Sequence, residues 1–143
     1  MAFTYKIDPT LELMFYAGRD TTSKELLEAE KIAANHPLRQ ANMKILMDIT
    51  QGGLDIDWED VKEIYKMNRK RMANGYELEA TAFITQNDYA NIFADVFRML
   101  GQDIPFRLGI FDTLSDAVKW LGLSDQEAEI MRVQEELIQK LKE

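Results

Sequence analysis

Three consecutive apolar residues, Ile45-Leu46-Met47, lie inside a run, residues 43–48, that reads as a β-strand. Strand side chains point alternately to two faces, so such a run is stable only where both faces are covered. That requires a sheet with further layers above and below it.

The flanking segments supply those layers. Residues 3–7 alternate apolar and polar, Asp8-Pro9-Thr10 makes a turn, and residues 11–16 read as a second strand, completing an opening hairpin. Ala17-Gly18-Arg19-Asp20 reads as its end. Thr22-Ser23-Lys24-Glu25 has capping-box spacing and opens a helix running to about Asn35, with Leu26, Ala29, Ile32 and Ala33 inward. His36-Pro37 stops it, because proline has no amide proton for the next helical bond.

Asp57 caps a helix over residues 58–73 that Asn74-Gly75 terminates. Residues 78–85 form a fourth strand, Asn87 caps a helix ending at Gly101, and residues 105–111 form a fifth strand. Thr113-Leu114-Ser115-Asp116 opens a helix that finishes in Leu121-Gly122-Leu123. A second capping box, Ser124-Asp125-Gln126-Glu127, precedes the last helix.

The order ββαβαβαβαα predicts an α/β fold: a five-stranded mixed, mostly parallel sheet with flanking helices and an added C-terminal helix. Residues 1–122 are expected to form one domain, and residues 123–143 an amphipathic helix packed on it or on a dimer mate. A chain of 143 residues can bury about 70% of its unfolded surface. A formal net charge of −8 repels phosphate backbones, so nucleic acid is not an expected partner. With no cysteine there is no disulfide framework, thiol nucleophile or thiolate metal site. The first ten residues lack the pattern of a signal peptide, and no apolar run approaches the ~20 residues of a membrane span. The expectation is a cytoplasmic protein without stable membrane insertion.

Leu46-Met47-Asp48 closing the third strand, and Gly109-Ile110-Phe111-Asp112 leading into Asp116-Ala117-Val118-Lys119-Trp120-Leu121-Gly122, resemble the SpoIIAA-like family. That family is related to STAS domains and, in fold, to the lipid-carrying SEC14 (CRAL-TRIO) domains. The resemblance covers about Phe3 to Gly122 and implies a mixed sheet flanked by helices, without enzymatic activity. In the sporulation antagonists a Ser or Thr follows the Asp after the central strand, at a helix N-terminus, and is phosphorylated to switch partner binding. Here Asp48 is followed by Ile49 and then Thr50, and the helix start reads Asp55-Ile56-Asp57-Trp58-Glu59-Asp60. Four carboxylates there would repel a phosphate and cancel the helix's attraction for anions. The resemblance implies an interaction or regulatory module, and the departure at Thr50 and at the acidic helix start sets the expectation that it works without the switch.

Asp48, Thr50, Gly52, Gly53 and Asp57 are the candidate switch or ligand loop. Gly52-Gly53 lacks the spacing of a phosphate cradle and reads as a turn needing positive φ. Asp48, Asp55, Asp57, Asp88 and Asp112 should gather at the carboxyl edge of the sheet, where oxygen ligands suit a hard cation. No metal-loop spacing accompanies them, so they read as helix caps, and no metal or cofactor is expected. His36 is the sole histidine, which excludes a catalytic triad or a two-histidine metal site within one chain. No catalytic residue and no enzyme activity are expected.

On the helix over residues 58–73, Trp58, Val61, Ile64, Tyr65 and Met72 share a face with Asn68, and Lys62, Lys66, Arg69 and Lys70 line a flank. Acids early and bases late complement the helix dipole. The helix over residues 87–101 is apolar around more than half its girth, and Tyr89, Phe93, Phe97 and Leu100 are the candidate apolar partner or ligand surface. One sheet cannot cover that width, so the last helix, from its own chain or a dimer mate, is expected on it. The function expected is a non-catalytic interaction module with a protein partner or homodimer. The alternative is a binder of a small apolar ligand or lipid.

Overall fold

The computed structural model describes residues 3–40, 43–74, 80–86 and 107–143. Its opening hairpin pairs β1 (Phe3–Asp8) antiparallel with β2 (Leu13–Thr22). Asp8 Oδ1 accepts from the backbone N–H groups of Thr10 and Leu11 at 3.0 and 3.1 Å, the side-chain turn that Asp-Pro-Thr chemistry favours. The capping box forms at α1 (Ser23–Ala34): Glu25 N donates to Thr22 Oγ1 at 3.2 Å while Thr22 N donates to Glu25 Oε1 at 3.1 Å. Then come β3 (Lys44–Asp55), α2 (Trp58–Ala73), β4 (Thr81–Ile84), β5 (Leu108–Phe111), α3 (Leu114–Trp120) and α4 (Glu127–Leu141), with a 3-10 turn at Ser124–Gln126.

The five strands lie in chain order, β1-β2-β3-β4-β5, and all pairings after the first are parallel. This is the expected mixed, mostly parallel sheet with flanking helices. Side-chain alternation divides its residues between two layers. On one face Tyr16, Ile49, Phe83 and Leu108 pack with Leu26 and Leu27 of α1 and Val61, Ile64 and Tyr65 of α2. On the other Leu13, Phe15, Ala17, Leu46 and Ile84 pack with Ala117, Val118 and Leu121 of α3 and with Ile130, Val133, Leu137 and Leu141 of α4. Ile45-Leu46-Met47 accordingly splits between the two layers, with Leu46 only 1% exposed.

α3 ends in a Schellman arrangement: Leu123 N donates to Val118 O and Gly122 N to Lys119 O, each at 3.0 Å, with Gly122 at φ +75°. Trp120 packs on Phe111, ring centroids 5.4 Å apart, and takes the Arg107 guanidinium over its ring at 5.0 Å.

The structure corrects several sequence expectations. Residues 17–20 do not end the second strand, and the third does not stop at Asp48. β2 continues to Thr22 and β3 to Asp55, paired side by side beyond the reach of β4. The second capping box does not form; no side chain caps the 3-10 turn or α4, and Glu127 Oε1 instead accepts from Ser115 Oγ at 2.9 Å. Trp58, which shares the apolar face of its helix, is 40% exposed at the first residue of α2. Among the described residues α4 packs on β1, β2 and α3, and its expected contact with the helix over residues 87–101 lies outside them. The helix over residues 87–101, with Asp88, Tyr89, Phe93, Phe97 and Leu100, lies outside the described residues.

Candidate functional site

Beyond Asp48 the sheet narrows to two strands, and there β3 carries more residues than β2. Ala17 pairs with Asp48 but Arg19 with Gln51, and Thr21 pairs with Leu54. Each extra residue is a bulge, which bends the strand and re-aims side chains. Gly52 sits in the second with φ +93°, and a methyl group there would lie 2.1 Å from Asp20 Oδ1. The same Asp20 oxygen accepts from Gly53 N at 3.1 Å. Gly52 and Gly53 thus shape a bulged ribbon, and the expected loop is absent.

Asp48 is the buried centre of the site, 2% exposed on the α4 side of the sheet. Its Oδ1 accepts from Thr50 N at 2.9 Å and from Thr50 Oγ1 at 2.7 Å. Its Oδ2 accepts from Gln134 Nε2 of α4. A buried carboxylate needs such donors, because an unpaired charge in the interior is costly. Thr50 therefore directs its hydroxyl at Asp48 and α4, whereas α2 lies on the opposite face. The hydroxyl also accepts from Gln51 Nε2 at 3.2 Å.

Asp57 is where the sequence placed it, at the head of α2. Its Oδ1 accepts from Glu59 N at 2.9 Å, which satisfies one of the helix's unpaired donors. Its own N–H donates to Ser23 Oγ at 2.7 Å, and that hydroxyl reaches Asp60 Oδ2 at 3.1 Å. Ser23, 2% exposed, thereby ties the first turn of α1 to the first turn of α2. Further along the two helices Arg71 Nη1 lies 2.8 Å from Glu30 Oε1, both side chains largely buried. That N–H is not aimed well enough to count as a hydrogen bond, so the contact is an ion pair without a directed bond.

Tyr16 and Thr21 form a second polar spot at the base of the ribbon. The Tyr16 ring stacks on Phe3 at 5.5 Å, and burial pushes its phenol well above the usual tyrosine range. Thr21 moderates that shift and the charge of Glu25 adds to it. Neither hydroxyl has a well-aligned partner among the described residues.

The structure thus joins Asp48 to Thr50 and sets Gly52 and Gly53 against Asp20, while Asp57 serves a helix end. Asp55 ends β3 opposite Thr22, and Asp112 is exposed after β5. Among the described residues no group of three or more His, Asp or Glu side chains is placed to hold a metal ion. His36 lies past the far end of α1, where its Nδ1 accepts from Leu38 N at 3.1 Å. Sequence reasoning did not single out Gln134, Ser23 or Asp20. Gln134 had a readable signal, since it follows Ile130 by four residues and precedes Leu137 by three, on the edge of an apolar stripe. Elsewhere, a shallow apolar cleft of about 50 Å³ opens between α1 and the first three strands, lined by Tyr5, Ile7, Met14 and Met47 among others. No described helix is long and apolar enough to cross a membrane.

This layered sheet is a SpoIIAA-like α/β fold. An uncharacterised protein of the DUF3478 family with a SpoIIAA-like fold, from Shewanella loihica PV-4, is similar to it with a TM-score of 0.53 and 18% sequence identity. The match covers 84% of this chain and 94% of the other, and at that identity it is a likeness of fold. No protein-family model matches the chain, and no curated protein does.

Proposed function

We propose that the chain is a non-catalytic interaction module of the SpoIIAA-like and STAS kind that works without a phosphorylation switch. The observation that carries this reading is the placement of Thr50. Its hydroxyl donates to the buried Asp48 carboxylate at 2.7 Å, inside a strand, on the face away from α2. A phosphate on that oxygen would lose the bond and meet a carboxylate at contact distance, which like charge makes unfavourable. The first turn of α2 is already supplied by Asp57 and by Ser23, with Glu59 and Asp60 beside them. An anion gains nothing there. Polar groups around Thr50 and Asp57 are spent on one another, which supports a structural role for them and leaves recognition to the outer surface.

Affinity capture from a native lysate of the source organism tests the reading. The wild-type chain and Thr50→Val are both expected to retain the same protein partner in equal yield. Recovery of nothing but the chain itself would overturn a hetero-partner, and loss of the partner in Thr50→Val would overturn the absence of a switch at Thr50.

A further inference from the structure

β1 is an edge strand: β2 takes one of its sides, and no described strand or backbone group pairs with the other. Such an edge offers a row of unpaired N–H and C=O groups to any strand that can match it. We propose that its occupant is β1 of a second copy, paired antiparallel across a two-fold axis at Tyr5 to make a continuous ten-stranded sheet.

Register favours a centre that uses the length of the strand: Thr4 or Ile7 at the axis leaves a ladder of only three residues within β1, and Tyr5 or Lys6 a ladder of five. In antiparallel pairing, opposed residues aim their backbone groups either both toward the partner strand or both away from it, so a symmetric pair can centre on one residue but not between two. Centring on Lys6 sets two ammonium groups face to face, which is unfavourable. Centring on Tyr5 opposes Tyr5 with Tyr5, Phe3 with Ile7 and Thr4 with Lys6, which brings aromatic and apolar groups together and no like charges. Tyr5 has the exposure this needs. It is 39% exposed at the rim of α1, edge-on to His36 with ring centroids 6.3 Å apart, and Leu38 nearby in the chain is 47% exposed.

The second layer is compatible. α4 lies over β1 and β2 together, and Thr4 Oγ1 donates to Leu137 O at 3.0 Å. Strands are spaced ~4.8 Å, so joining the edges draws the two copies of α4 alongside at roughly 10 Å, a helix-packing distance. Gln134 points from α4 toward β3, so the opposite flank, with Glu129, Arg132 and Glu136, faces the β1 edge. Arg132 holds both glutamates within its own chain, and the two helix flanks meet with most of their charge already neutralised. A five-residue ladder with one helix pair stands at the small end of stable interfaces, and association in the micromolar range follows. The inference is independent of the module's other partners, so its failure leaves the proposed function standing.

The absence of cysteine makes the test clean. Sedimentation velocity of the full chain from about 5 to 500 µM is expected to show a monomer–dimer equilibrium, and Tyr5→Lys to weaken it at least tenfold with an unchanged far-UV spectrum. Opposed residues lie ~4.5–5.5 Å apart between Cα atoms, within disulfide reach. Mild oxidation should therefore cross-link Tyr5→Cys into a covalent dimer but leave Lys66→Cys, on the exposed side of α2, monomeric. A single monomeric species at 500 µM overturns the proposal. So does a dimer that survives Tyr5→Lys, or one in which Tyr5→Cys cross-links no better than Lys66→Cys.

Discussion

Asp48 holds one strand, one hydroxyl and one helix at once, which makes its energetics strongly non-additive. Asp48→Ala leaves Thr50 N and Gln134 Nε2 facing a void, and the loss expected is about 2–4 kcal/mol. Thr50→Val removes a single charge-assisted bond and should cost about 1–2 kcal/mol. Urea unfolding of both single variants and the double variant should return a coupling of roughly 1 kcal/mol or more. Additive losses would mean that the two side chains do not act together. The sequence alone places Asp48 on the third strand, though at its end and not inside it, and is silent on its partners. Thr50 is two residues away, whereas Gln134 comes from a helix 86 residues further on, a distance that no local pattern encodes.

Tyr16 makes a prediction about alkaline pH. Its phenol is held above the ordinary value near 10, chiefly by burial. Above pH ~10 the unfolded chain releases this proton while the folded chain keeps it, so the unfolded state binds fewer protons and stability falls as pH rises. Below pH 10 both states are protonated and the residue adds no pH dependence. Thermal melts of Tyr16→Phe are expected to lose less stability between pH 10 and 11 than the wild type. Equal slopes would place the phenol in water.

At the scale of elements, helix ends were legible and strand ends were not. Thr22-Glu25, Asp57 and Leu121-Gly122-Leu123 were read correctly because capping is local chemistry within four or five residues. Gly18 and Gly52-Gly53 read as breaks, and Gly52 does take the expected positive φ, yet all three lie within strands. Glycine marks both turns and bulges, and only the partner strand tells them apart. Ser124-Glu127 failed for a similar reason: Ser115, on a neighbouring helix, competes for the Glu127 carboxylate. For α4, the apolar stripe is plain in the sequence, and among the described residues it meets the sheet and α3. Leu137 is 3% exposed against the sheet, so Leu137→Ala should destabilise by about 2–5 kcal/mol. Differential scanning calorimetry showing no change would mean that this helix is only loosely attached.

For the whole molecule, the alternation of strands with capped helices was enough to predict a mixed sheet with layers on both faces. Chain order of the strands needed the pairings themselves. So did the division of labour between layers, in which the connections β2–β3 and β3–β4 furnish α1 and α2 on one side. Among the described residues the other side is furnished by α3 and α4, which follow β5.

That arrangement has a consequence during synthesis. Once β5 has been made, the sheet can close, but among the described residues Leu13, Phe15 and Ala17 wait for α4 to cover them. Synthesis from Phe111 to Leu141 takes about 1.5 to 6 seconds at about 5–20 residues per second, and for that time the nascent chain carries a bare apolar strip. A chain released prematurely between residues 112 and 127 therefore has all five strands but one greasy side, a product that chaperones and proteases are built to notice.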